Sequence, residues 1–135
     1  MQALVIHETE SRIPAHERNW AVGVHVGVLI LAVMTSWFAG FAGMLGAGIV
    51  ILARPLGSEF VVEHAKEAFN FNFSLFVYCL AAGVFSIMTL GLGLILAAPF
   101  WIVLAIMWLV CSIQAAARAS EGLSYRYPLT WRVWQ

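Results

Sequence analysis

The densest group of chemically active side chains lies between residues 63 and 72, in the run Glu-His-Ala-Lys-Glu-Ala-Phe-Asn-Phe-Asn. On a helix, His64 and Glu67 lie one turn apart and Glu63 neighbours Glu67, so these groups could share a proton or a hydrogen bond. A metal site would need more ligands, and no second histidine–carboxylate pair occurs on another predicted span. Acid–base catalysis would need a pocket and a positioned substrate. We therefore expect no metal, no cofactor and no enzymatic activity.

Polar residues continue along one face of the same predicted helix, at spacings of three and four. This polar stripe consists of Glu63, Glu67, Asn70, Ser74 and Tyr78. One interpretation is a structural polar collar, in which groups on this helix are satisfied by the segment near the C-terminus. The collar residues are His64, Lys66, Glu67, Asn70, Tyr125, Arg126, Tyr127 and Pro128. The alternative is a conduit lined by the stripe. His25, a further polar residue in an apolar stretch, is expected to be a lone histidine that bonds a neighbouring backbone or hydroxyl group.

The elements that position these groups follow from the distribution of charge. The chain has seven Lys and Arg and seven Asp and Glu, and none of them lies between Asn19 and Ala53 or between Ala68 and Ala117. A charge at the centre of a bilayer costs roughly 2.5–3.5 kcal/mol even on insertion scales. Hydrophobic residues make up 62% and charged residues 10% of the chain, against about 45–50% and about 25% in soluble domains. The sequence therefore predicts an all-α, polytopic integral membrane protein.

Two uncharged stretches of this length predict two hairpins, hence four membrane helices. A polar leader (1–19) and an interfacial tail (118–135) flank the membrane domain (20–117), in which residues 58–68 begin the third helix in the cytoplasm. The expected spans are 20–38, 42–54, 69–90 and 97–117. All seven cations lie in the termini and the middle segment, so the positive-inside rule places both termini in the cytoplasm of a bacterial inner membrane.

Small residues and prolines predict the local details. We expect Ser58 to cap the third helix and Pro55 to end the short second span. Glycines are expected to form the turns at 40–43 and 91–93, and Pro99 to stand in the first turn of the fourth span. Gly23 and Gly27 are expected to face another helix, because small residues four apart allow close approach.

Two signatures resemble a bacterial family of small four-span membrane proteins of unknown function. One is His64-Ala65-Lys66-Glu67-Ala68-Phe69-Asn70-Phe71 before the third span, and the other is Tyr125-Arg126-Tyr127-Pro128 after the fourth. His25 also matches a histidine that is usual in the family's first helix. The family is regarded as remotely related to the twenty-kilodalton membrane subunit of the chloroplast inner-envelope (Tic) import translocon. The resemblance implies a helical membrane module within a larger assembly.

These observations favour a non-enzymatic scaffold or accessory subunit of a larger membrane complex. The alternative is a component of a conduit or transporter that resembles a protein-import channel. The expected partners are the lipid bilayer and other membrane subunits or further copies of the chain. The net charge is zero, so nothing in the charge balance favours nucleic acid.

Overall fold

The computed structural model describes residues 13–34, 39–53 and 58–135. In these residues the chain forms four α-helices and no strands: α1 (Ala15–Met34), α2 (Ala39–Ala53), α3 (Glu59–Met88) and α4 (Leu94–Ser120). The all-helical prediction is therefore confirmed for the part of the chain that is described. The predicted end of the first span at residue 38, the predicted stop at Pro55 and most of the leader lie outside these residues.

Helix α1 begins before the predicted span. The carbonyl oxygen of Pro14 accepts hydrogen bonds from the N–H groups of Glu17 and Arg18, at 3.0 and 3.2 Å, and so forms the first turn. The charged residues just before Trp20 are thus helical and extend α1 outward from its apolar part.

The prediction of a turn at residues 40–43 is wrong, because α2 already includes them. Gly43 is buried inside this helix, at a point of close approach to Val28 of α1 and Asn72 of α3. The glycine thus serves helix packing instead of chain reversal. At 1.5 Å per residue, α2 is about 22 Å long, which is less than the hydrocarbon thickness of about 30 Å.

Helix α3 starts and ends at the signals in the sequence. The Ser58 hydroxyl accepts the N–H of Val61 at 3.3 Å, which confirms the predicted N-cap. After Met88 the chain reverses through residues 89–93, where Leu90 and Gly91 have φ values of 53° and 91°. A left-handed conformation is readily adopted by glycine and is strained for leucine. The Thr89 side chain stabilises this turn, since its Oγ1 accepts the N–H of Gly93 at 2.7 Å.

Helix α4 begins at Leu94, earlier than the predicted start at residue 97, so Pro99 lies inside the helix and not in its first turn. The first N–H groups of α4 bond carbonyl oxygens of the preceding turn: Ile95 bonds Leu92, and Leu96 bonds Gly93. The helix therefore starts within the glycine turn, and proline follows one turn later.

Helix α1 contacts each of the other three helices, and α2 packs most extensively on α3. One core cluster joins α1, α2 and α3: Val24, Val28, Ala47, Ile51, Val61, Ala65 and Ala68. A second joins α3, α4 and the C-terminal segment: Phe71, Leu75, Leu104, Cys111, Ala115 and Tyr127. Helices α3 and α4 are long and apolar enough to cross a membrane.

The face of α1 that carries Gly23 and Gly27 does not pack as expected. Both glycines are exposed, and a Cβ atom added at either would have no atom of the described residues within 4 Å. The close helix approach occurs at Gly43 instead. This open small-residue face is thus a surface of the described structure.

We predict that Gly43→Ala destabilises the protein by about 1–3 kcal/mol, because the new methyl group would lie 2.9 Å from Val28 Cγ1 in a packed interface. Gly23→Ala is the matched control, since it adds the same methyl group to an open helix surface and gains up to about 1 kcal/mol of helix propensity. Thermal unfolding of both variants in mild detergent checks the difference. Equal midpoints would contradict the close contact at Gly43.

Candidate functional site

The polar stripe of α3 faces the C-terminal tail, which we define as residues 123–135. Asn70 makes three hydrogen bonds to the tail main chain. Its Oδ1 accepts the N–H groups of Val133 and Trp134, both at 3.0 Å, and its Nδ2 donates to the carbonyl oxygen of Trp134 at 2.8 Å. One buried amide thus pairs three main-chain groups of a segment without regular structure.

Further along α3, the stripe continues to pair with the tail main chain. The N–H of Trp131 donates to Ser74 Oγ at 2.8 Å, and the Tyr78 hydroxyl donates to the carbonyl oxygen of Leu129 at 2.9 Å. The Trp131 ring also packs edge-on against Tyr78, with centroids 6.1 Å apart. The spacing of polar residues on the helix thereby sets the register of the tail.

Glu67 connects the stripe to the first and last parts of the tail. Its carboxylate accepts the N–H of Tyr127 at 3.3 Å and the Nε–H of Arg132 at 3.1 Å. Lys66 donates to the main-chain oxygen of Gln135 at 2.7 Å. The Glu67 side chain is 11% exposed and that of Arg132 is 38% exposed, so this ion pair is only partly screened by solvent. We call the contacts of Lys66, Glu67, Asn70, Ser74 and Tyr78 with the tail the tail clamp.

Beneath the tail clamp lies a chain of three buried side chains. The Tyr127 hydroxyl is 2.9 Å from His25 Nδ1, and His25 Nε2 is 2.8 Å from His64 Nδ1. These residues come from the tail, α1 and α3, and their relative exposures are 4%, 2% and 1%. We call them the Tyr–His–His chain. It joins three separate parts of the sequence through two hydrogen bonds.

Two arrangements of protons satisfy both bonds with neutral rings. In the first, Tyr127 donates to His25, and His25 donates to His64. In the second, the direction is reversed: His64 donates to His25, and His25 donates to the Tyr127 oxygen. Among the described residues, His64 Nε2 has no hydrogen-bond partner of good geometry, so the chain ends at an unsatisfied buried nitrogen.

Aromatic packing encloses the Tyr–His–His chain. The Phe71 ring stacks on Tyr127 with centroids 4.2 Å apart, and the Phe60 ring packs edge-on against His64 at 4.6 Å. Burial raises the pKa of Tyr127 above its ordinary value of 10, so its hydroxyl stays protonated at neutral pH. Burial also raises the pKa of Tyr125, to about 12.

The structure separates residues that the sequence placed together. His64 turns toward His25 and Phe60, whereas Glu67 faces the tail, so the two do not form the anticipated hydrogen-bonded pair. His25 bonds a hydroxyl neighbour, Tyr127, as predicted, but it is not a lone histidine, because its other ring nitrogen is 2.8 Å from His64 Nδ1. Positions three apart on a helix differ by about 60° in direction, enough to face different neighbours.

The structure distributes the predicted tail residues over several contacts. Tyr127 reaches both Glu67 and His25, while the Tyr125 hydroxyl donates to Gln114 at 3.0 Å. Arg126 and Pro128 are exposed. Glu63 is exposed and accepts the Ser124 hydroxyl at 3.3 Å.

Sequence reasoning placed Trp131, Arg132 and Trp134 at a lipid interface and missed their contacts with the clamp. The polar collar interpretation named the segment near the C-terminus as the partner of this helix, but the three- and four-residue spacing on α3 did not show that residues 131–134 reach the stripe. In residues 13–34, 39–53 and 58–135, no three His, Cys, Asp or Glu side chains form a group that could hold a metal ion.

A comparison with protein-family models gives one informative result. Residues 16–134 match the model of the magnetosome magnetite crystal formation protein family. This range includes the four helices except Ala15, the Tyr–His–His chain and almost the entire tail. Searches of curated proteins and of solved structures found no match. The relation to the chloroplast import translocon stays a prediction.

Ser74→Ala should loosen the middle of the tail, because Trp131 loses its hydrogen-bond acceptor. Ser86→Ala is a matched control: both serine hydroxyls donate to the carbonyl oxygen four residues earlier, and only Ser74 also accepts a tail N–H. A hydrogen bond contributes about 1 kcal/mol, so amide exchange at Trp131 should become roughly fivefold faster in Ser74→Ala alone. Unchanged exchange in that variant would contradict the clamp.

Tyr127→Phe should lower the free energy of unfolding by about 1–3 kcal/mol, because it removes the hydroxyl that pairs with His25 Nδ1. The raised pKa of Tyr127 means that its contribution is present in full below about pH 10 and is lost as pH rises further. Above that pH, the free energy of unfolding of the variant should therefore decline less than that of the native protein. Unfolding measured across this pH range checks both effects.

The control for this experiment is Tyr125→Phe, which removes a hydroxyl bonded to the exposed Gln114 side chain and should cost at most about 1 kcal/mol. If both variants lose the same stability, the Tyr–His–His chain has no special structural role.

Proposed function

Because the chain belongs to the magnetosome magnetite crystal formation protein family, we propose that it is a multi-pass protein of the magnetosome membrane. In this proposal it supports magnetite formation as a non-enzymatic scaffold or accessory subunit of a larger membrane complex. It assembles with other magnetosome membrane proteins or with further copies of itself.

The observation that carries the scaffold role is the use of the polar stripe. Asn70 and Ser74 are buried against the tail, and their polar atoms are occupied by main-chain groups. A conduit would need such groups to face water or a transported molecule. In the described structure the stripe instead holds the protein's own last segment in place, which supports a structural role.

The outer surface supports the same role. Helix α4 has many exposed large apolar side chains that suit lipid or neighbouring membrane helices. These are Ile102, Val103, Ile106, Leu109, Val110 and Ile113. The open Gly23–Gly27 face of α1 adds a surface on which a second helix could approach closely.

We place both ends of the chain on the cytoplasmic side of a bacterial inner membrane, with four crossings. Lys66 and Arg126 line one groove, so in the folded chain they lie at the same end of the helix bundle. The turn at residues 89–93, between α3 and α4, has no charged residue. With this orientation the positive-inside rule is satisfied.

This orientation also determines which end of the proposed membrane protein could contact a mineral. The carboxylates of Glu59, Glu63 and Glu67 belong to the charged end of α3, and the opposite turn of the described structure offers no acidic group. Iron ions prefer ligands such as carboxylates and imidazoles. A contribution through protein contacts therefore fits this chain better than direct contact of the uncharged turn with the crystal.

The scaffold proposal is tested by purification from native membranes in mild detergent. The double variant Gly23→Ile/Gly27→Ile should reduce co-purified membrane proteins or copies of the chain several-fold, because branched side chains would block helix approach. Gly83→Ile, at another open glycine on α3, is the matched control and should leave the assembly intact. Undiminished co-purification in the double variant would contradict assembly through α1.

The conduit alternative is tested in liposomes with Glu67→Gln. A scaffold should show no ion leak in either the native protein or the variant. Conductance that changes with this substitution, in a complex that still forms, would favour the conduit and contradict the proposed role.

A further inference from the structure

A charged groove of about 760 Å³ lies between the first half of α3 and the tail. Its ionisable lining residues are Glu59, Glu63, Lys66, Glu67, Arg126 and Arg132. The groove thus contains three carboxylates and three cations, and its own net charge is zero. A purely anionic or purely cationic ligand would meet repulsion as well as attraction there.

Not all of these charges are used within the protein. Glu67 and Arg132 form an ion pair with each other, and Lys66 donates to the main chain of Gln135. In the described residues, Glu59, Glu63 and Arg126 have no ion-pair partner, and all three are exposed. Among the described residues, the charges available to a ligand are therefore two carboxylates on one helix face and a guanidinium from the tail, with one Glu63 oxygen also accepting the Ser124 hydroxyl.

The position of the groove along α3 indicates that its ligand would come from the membrane surface. The last charged residue of this helix is Glu67, and the uncharged stretch begins at Ala68. A groove at this boundary lies at the depth of lipid headgroups in the proposed membrane placement. Trp134, which also lines the groove, is a residue type enriched at that depth.

We propose that the charged groove binds the headgroup of a zwitterionic phospholipid with a primary ammonium group, of the phosphoethanolamine class. Arg126 contacts the phosphate, because a guanidinium pairs with phosphate oxygens through two parallel hydrogen bonds. Glu59 and Glu63 accept hydrogen bonds from the ammonium group. This assignment rests on the membrane placement in the proposed function.

The N–H donors of the ammonium group distinguish this headgroup from the choline and glycerol headgroups. A choline headgroup has the same charges but no N–H donor for Glu59 and Glu63. A glycerol headgroup leaves the lipid anionic and supplies no cation to these carboxylates. The groove should therefore favour phosphatidylethanolamine over phosphatidylcholine and phosphatidylglycerol.

The test uses the full chain in nanodiscs that contain equal amounts of these three lipids, followed by native mass spectrometry of the lipids retained by the protein. The native protein should retain phosphatidylethanolamine preferentially. Glu63→Gln and Arg126→Gln should each reduce this preference roughly two- to fivefold, the range expected for single charged contacts near a surface. Equal retention of all three lipids, or preference for phosphatidylglycerol, overturns the proposal.

Arg118→Gln is the matched control, because Arg118 is exposed, pairs with Glu121 at 3.8 Å and lies outside the groove. An equal loss of lipid preference in this variant would show a general effect of surface charge and overturn the groove assignment. Adding free phosphoethanolamine distinguishes a site for the lipid headgroup from a site for the free compound. Competition between it and the retained lipid supports a headgroup site, whereas binding of the free compound without lipid retention overturns the lipid assignment.

The outcomes also separate this proposal from the proposed function. Equal retention of the three lipids by the native protein, with co-purification that falls in Gly23→Ile/Gly27→Ile, would reject the headgroup site and leave the scaffold role standing. Undiminished co-purification in that double variant, with phosphatidylethanolamine preferred by the native protein, would do the reverse.

Discussion

The structure depends on pairing the main-chain polar groups of a segment that is neither helix nor strand. An unpaired N–H or C=O group shielded from water is unfavourable by several kcal/mol in an apolar setting, so an irregular segment beside apolar helices needs partners. Residues 123–135 obtain them from α3. Asn70 alone pairs three of these groups, and Ser74 and Tyr78 pair two more. The tail is thereby a component of the helix bundle, held by the same helix face that first suggested a conduit.

The Tyr–His–His chain lies beneath the tail clamp and restricts how α1, α3 and the tail can be arranged. Tyr127 is fixed from outside by the bond of its N–H to Glu67 and from inside by the bond of its hydroxyl to His25. The second histidine, His64, then connects α1 to α3. Buried polar groups are favourable only when they are paired, so this set tolerates few relative positions of α1, α3 and the tail. Among the ring nitrogens and hydroxyl of the Tyr–His–His chain, Nε2 of His64 has no partner in the described residues.

The family membership and the structure together describe a membrane protein whose chemistry is directed inward. Among the described residues, Asn70 and Ser74 bond the protein's own main chain, His25 bonds Tyr127 and His64, and the turn between α3 and α4 carries no charge. In the proposed role, such a small protein contributes to a membrane complex through shape, lipid contact and helix packing. The proposed headgroup site lies beside the tail clamp, so a bound headgroup would contact the same helix, α3, that holds the tail.

The sequence by itself determined the helical class, the N-cap at Ser58, the glycine turn at Gly91 and the polar stripe, because these depend on local conformational preference and on the separation of charged from apolar residues. Only the tertiary structure decided that Gly43 packs within α2 while Gly23 stays open, and that His25 pairs with His64 as well as with a hydroxyl neighbour. The physical reason is that helix periodicity gives the face of a residue but not the element opposite it. His25 and Tyr127 are 102 positions apart in the chain, and no local pattern encodes a contact over that separation.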